Sequence, residues 1–72
     1  MELIIKLTWD ADACVWIAES EDIPGLVLES GSFDALIERL RFAVPELLQF
    51  NGIQNTPLQL NFISERHERV AI

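Results

Sequence analysis

The sequence has one cysteine, Cys14, so no disulfide can form within the chain and a disulfide-held scaffold is excluded. Its neighbours Ala13 and Val15 are apolar, which predicts a buried, inert thiol in a reducing compartment. No apolar run approaches the ~20 residues of a membrane span. Residues 1–6 lack the length and the basic start of a signal peptide, so a soluble protein of the cytoplasm is expected. Basic residues are scarce: five Lys and Arg stand against twelve Asp and Glu, a formal net charge of −7. A phosphate backbone is held by Lys and Arg, so direct nucleic-acid binding is not expected. A basic protein partner would instead be drawn in. The three glycines, Gly25, Gly31 and Gly52, sit at separate turns and form no phosphate-binding loop.

Groups for catalysis are equally thin. His67 is the only histidine, lies among charges and has no serine or cysteine placed near it as a nucleophile, which predicts a solvated side chain. Asp10 and Asp12 begin like a calcium loop, but Cys14 and Val15 stand where further ligands and a glycine are required. Glu19, Glu21 and Asp22 cluster after the second strand and read as a surface run. No zinc spacing occurs. Asp10, Asp12 and Glu19 are the only set to nominate for metal-dependent hydrolysis, which needs several convergent carboxylates. No enzymatic activity, cofactor or metal is expected.

What is present is hydrophobic patterning: half of the 72 residues are apolar, enough to build the core of one small domain. Residues 2–9 alternate, with Leu3, Ile5, Leu7 and Trp9 on one side, and predict a strand. Asp10–Ala13 reads as a hairpin loop and Cys14–Ser20 as the return strand. Val15, Trp16, Ile17 and Ala18 are all apolar, so alternation does not say which set faces the core. Pro24-Gly25 marks a turn, and Leu26–Glu29 a short third strand. Ser32 is a helix N-cap, with Asp34 in the first turn. Phe33, Leu36, Ile37, Leu40, Val44, Leu47 and Leu48 form one stripe of an amphipathic helix ending near Phe50, and Asn51-Gly52 supplies the stop. Pro45 predicts a kink or restart at Val44; Phe42 is then either rotated inward or exposed. Pro57–Glu65 is the last strand, with Leu58, Leu60 and Phe62 on one side. Leu3, Leu40 and Phe62 are expected core residues.

The order β-β-β-α-β gives an α+β fold: a four-stranded sheet with one amphipathic helix on one face, the last strand beside the first and parallel to it. The other face carries Ile4 and an apolar pair from the second strand. That patch predicts a homodimer or higher even-numbered oligomer built on this face, or a docking surface for another protein. The interface candidates are Ile4, Trp16, Glu19, Glu21, Asp22 and Phe42.

Three ordered stretches carry a family resemblance. Val15-Trp16-Ile17-Ala18, Asp22-Ile23-Pro24-Gly25-Leu26-Val27 and Ser32-Phe33-Asp34-Ala35-Leu36 together resemble the HicB-like antitoxin superfamily. The continuation to Asn51, with Pro45-Glu46-Leu47-Leu48, is similar to a stand-alone branch of it. The resemblance spans nearly the whole chain. It implies a partial ribonuclease H-like fold and a protein that binds and occludes a HicA-like toxin, a small basic protein that cleaves messenger RNA. Many HicB proteins add a C-terminal DNA-binding segment. Here Ile72 follows closely on the last strand, so no such segment is expected in these residues.

Overall fold

Strand β1 (Glu2–Asp10) buries Leu3, Ile5 and Leu7 and exposes Glu2, Ile4 and Lys6, as its alternation predicts. The computed structural model describes residues 1–53 and 57–72. At the end of β1 the Asp10 carboxylate accepts the N–H groups of Asp12 (3.0 Å) and Ala13 (3.2 Å), an Asx-type turn. Cys14 completes the reversal in the left-handed region at φ 55° and is exposed. The expectation of a buried thiol is therefore corrected: Cys14 belongs to the loop, not to the strand.

The return strand β2 is accordingly Val15–Glu19, one residue shorter at each end than predicted. It pairs antiparallel with β1, Trp9 opposite Trp16 and Leu7 opposite Ala18. This register settles the choice that alternation left open. Trp16 and Ala18 face the helix; Val15, Ile17 and Glu19 face away. After Ser20 the chain forms a turn in which Leu26 N–H donates to the Ile23 carbonyl at 3.3 Å. Pro24 and Gly25 (φ 83°) occupy its centre, the residue pair that a type II turn favours. The turn drives both flanking side chains, Ile23 and Leu26, into the core. Leu26 is thereby taken from the third strand, and β3 is Val27–Ser30.

Helix α1 (Phe33–Phe50) starts where Ser32 Oγ accepts the Ala35 N–H at 3.2 Å. It stops in a Schellman arrangement. Gly52, at φ 84°, donates to the Gln49 carbonyl and Ile53 donates to the Leu48 carbonyl. Leu36, Leu40, Val44 and Leu48 form its buried stripe. The helix continues through Pro45 without a restart. The ring removes one N–H to the Arg41 carbonyl, and Arg41 is exposed. Phe42 is consequently not rotated inward and stays exposed on the outer side of α1.

Strand β4 (Gln59–Glu65) lies beside β1 and parallel to it, giving the sheet order β3-β2-β1-β4. It begins two residues later than predicted; the Pro57 carbonyl instead accepts from the N-terminal ammonium at 2.9 Å. The four-stranded sheet with one covering helix is the α+β architecture that the element order implies. Helix α1 approaches the sheet most closely at β3 and β2, and its stripe shares one core with Leu3, Ile5 and Leu7 of β1. Leu60 and Phe62, on the helix side of the edge strand β4, pack against that core but are only partly buried. No helix among the described residues is long and apolar enough to cross a membrane.

The free edge of β3 is blunted. Ile4 directs its N–H toward the β2 side, so alternation across β1 and β2 leaves the peptide groups of Val27 and Glu29 pointing outward. Arg39 Nη1 occupies the Glu29 carbonyl at 3.1 Å. A charged side chain over an edge acceptor discourages strand pairing there. Arg39→Ala is expected to raise concentration-dependent association above that of the unsubstituted chain. Light scattering that shows no rise would mean that four residues are too few to pair, with or without the cap.

Candidate protein-docking face

The uncovered face is built from alternate residues of all four strands. Glu2, Ile4, Lys6 and Thr8 come from β1; Val15, Ile17 and Glu19 from β2; Val27 and Glu29 from β3; Gln59, Asn61, Ile63 and Glu65 from β4. A solvated sheet face is normally polar. This one carries Ile4 and Ile63, each 50% exposed, and Val27 at 77%. Four carboxylates stand around them, with Lys6 as the face's only cation.

Polar contacts hold the face in place. Glu2 Oε1 accepts from Asn61 Nδ2 at 2.9 Å, tying the edge strand β4 to β1 on this side. Beyond the end of β2, Ser20 Oγ donates to the Ile4 carbonyl at 2.5 Å and Asp22 Oδ2 accepts the Ile4 N–H at 2.8 Å. Two side chains of the turn thus take the place of a missing ladder pair beside β1. This bonding positions Ile4 beside a shallow depression of about 460 Å³ lined by Ile4, Lys6, Leu26 and the run Glu19–Asp22.

Glu65 ends the face. Its carboxylate lies 3.4 Å from His67 Nε2 and 3.6 Å from Lys6 Nζ. The hydrogen bond with His67, and then the attraction of Lys6, hold its carboxyl below the ordinary carboxylate value. A depressed folded pKa favours the ionised form in the folded chain. Its small contribution to stability is present above the unfolded pKa and is lost as pH falls through the folded one. His67→Ala is expected to move the Glu65 midpoint upward, toward the ordinary value, in a carboxyl-detected NMR titration; an unmoved midpoint would remove His67 as the main cause.

Of the six sequence candidates, four come together here: Ile4, Glu19, Glu21 and Asp22 line the depression. Trp16 and Phe42 do not join them. Trp16 lies on the helix side, edge-on to Phe33 at 5.0 Å and tilted against Trp9 at 5.4 Å. The hairpin register is the reason, because it places Trp16 opposite Trp9 on the core side of the sheet. Phe42 lies on the outer surface of α1, on the far side of the molecule. Val27, Ile17 and Ile63 also lie on the uncovered face, and the candidate set lacked them. Their signal was parity: once Trp16 faces the core, Ile17 and its cross-strand neighbours must face outward.

The guanidinium of Arg66 stacks 4.2 Å from the centre of the Trp9 ring, closing the aromatic end of the core. Neither spacing nor periodicity signalled that contact. The carboxylates nominated for metal chemistry do not converge. Asp10 is used by the hairpin turn, while Glu19 pairs with Lys6, four residues back along β1 and so about 13 Å away at ~3.3 Å per residue. Among the described residues no group of three or more His, Cys, Asp or Glu is placed to hold a metal ion.

Comparison with known proteins adds a family and a fold relative. The family model described as a domain of unknown function, DUF1902, matches residues 2–72. The crystal structure of a hypothetical protein from the extremely thermophilic bacterium Thermus thermophilus is similar to the chain. It is 36% identical over 100% of both chains, with a TM-score of 0.80. No curated protein gives a significant match.

Proposed function

The chain belongs to the DUF1902 family, and we propose that it works as a protein-interaction module whose uncovered sheet face binds a small basic protein, in the manner of a HicB-type antitoxin occluding a HicA-like toxin. The observation that carries this reading is the makeup of that face. Exposed Ile4, Val27 and Ile63 supply apolar contact, and Glu2, Glu19, Glu29 and Glu65 surround them with negative charge. Interface centres are apolar and their rims polar, and complementary charge brings the right partner in. The ordered motifs from Val15 to Leu36 and the β-β-β-α-β order point to the HicB-like superfamily in particular.

The same charges weigh against two copies stacking through this face. Four carboxylates would meet four others, with one lysine per copy already held by Glu65. A cationic partner removes that conflict.

The test is a titration of the purified chain against a HicA-like toxin, the small basic protein that this reading requires. Calorimetry should show binding that weakens as salt rises, since the attraction is screened over ~10 Å at 0.1 M. A messenger RNA cleavage assay should show the basic protein silenced by the complex. No binding and no protection would overturn the antitoxin reading. Binding of undiminished strength and rate at high salt would overturn its electrostatic part.

A further inference from the structure

The two edges of the sheet differ. β3 offers four residues, and Arg39 covers its Glu29 carbonyl. β4 offers seven, and among the described residues nothing bonds to its outer edge. Gln59 N–H donates to the Met1 carbonyl at 2.8 Å, so Gln59, Asn61, Ile63 and Glu65 turn their peptide groups toward β1. By alternation Leu60, Phe62 and Ser64 turn theirs outward. The side chains of Leu60 and Phe62, on the helix side of this edge strand, are also only partly buried. An unpaired backbone edge and an unfinished apolar row coincide on one strand.

We propose that β4 pairs antiparallel with β4 of a second copy about a two-fold axis at Phe62, joining two sheets into one of eight strands. A two-fold axis normal to the sheet keeps each face on its own side, so paired residues must have the same parity. Centring on Phe62 alone uses the whole strand. Leu60, Phe62 and Ser64 then meet Ser64, Phe62 and Leu60 of the other copy, and every outward N–H and C=O is matched. On the helix side Phe62 meets its own symmetry mate and completes the apolar row. On the open side Asn61 meets Ile63, and Gln59 meets Glu65. No like charges face each other, which distinguishes this contact from face-to-face stacking. Both helices lie on one side, and the two docking faces merge into one surface on the other. The pairing itself does not depend on what that surface binds.

Sedimentation equilibrium of the full chain at micromolar concentration tests it. The expected mass is twice the 8.2 kDa of one chain. Ser64→Pro removes an outward N–H at an exposed position where proline can be tolerated, and should give the 8.2 kDa monomer with unchanged circular dichroism. Gln59→Lys sets a cation opposite Glu65 of the other copy and should tighten the dimer; Gln59→Glu should loosen it. Two symmetry-related cross-strand pairs predict roughly a fivefold change in each direction. The Gln59 pair keeps the test decisive if Ser64→Pro disturbs folding. A monomer across the concentration range overturns the proposal. So does a dimer indifferent to both Gln59 substitutions, including one that only a change at Ile4 dissolves. Partner binding is read in a separate titration, so either idea can fail alone.

Discussion

Replacing Leu40 by alanine should remove a large share of the stability of this protein. Leu40 is fully buried at the middle of the stripe that α1 lays on the sheet, with Leu36 and Val44 equally buried on either side. A Leu→Ala change in such a site costs about 2–5 kcal/mol, from lost burial plus the cavity that the neighbours fail to fill. A domain of 72 residues, at ~0.05–0.15 kcal/mol per residue, has roughly 4–11 kcal/mol in total. Urea melting should therefore show a much lower midpoint with little change in slope. Leu3→Ala should behave in the same way, as Leu3 is 5% exposed. Phe62→Ala should cost less in the isolated chain than its sequence pattern implies, because α1 leaves Phe62 half-covered. Equal losses at Leu40 and Phe62 would mean that the flank of β4 is better covered than the fold indicates.

The second large effect is expected in binding rather than in folding. Ile4 and Ile63 lie on the open face close to Lys6, each half-exposed, and Lys6 and Ile63 are direct cross-strand partners. Replacing both isoleucines by lysine removes two apolar anchors and adds two positive charges to a face proposed to receive a basic protein. Losing an interface anchor typically costs more than about 1 kcal/mol, and 1.4 kcal/mol is tenfold in affinity. The double substitution should weaken partner binding at least about tenfold while leaving the melting temperature close to its original value. Phe42→Lys serves as the control, being exposed on the opposite side of the molecule. Unchanged affinity in the double variant, or an equal loss from Phe42→Lys, would place the partner elsewhere.

Features that act over a few residues were legible from the chain alone. The period-2 run of β1, the Ser32 cap, the Pro24-Gly25 turn and the Asn51-Gly52 stop each have their physical cause within one turn or one strand. Parallel docking of β4 beside β1 was legible for a different reason: a single crossover helix leaves few ways for the chain to return. An outward isoleucine and a run of acids next to a turn were also legible, and the fold brings Ile4, Glu19, Glu21 and Asp22 to one depression.

The rest depended on groups that are distant in sequence. Val15–Ala18 is apolar at every position, so either parity could bury two side chains. Pairing with β1 decided that Trp16 faces the helix and Ile17 faces out. Ile23 looks like a loop residue, and Leu26 like the start of a strand, until the turn carries both into the core. Cys14 looks like a strand residue until the loop needs a positive φ at its position. Arg39 reaches an edge carbonyl ten residues away, and Arg66 reaches a ring at the far end of the chain. By itself the sequence determined which elements form and in what order, because propensity, capping and turn chemistry are local. Only the tertiary structure decided which side of each ambiguous strand meets the core, and therefore which face is left open, because that choice rests on cross-strand pairing and on where one helix can lie.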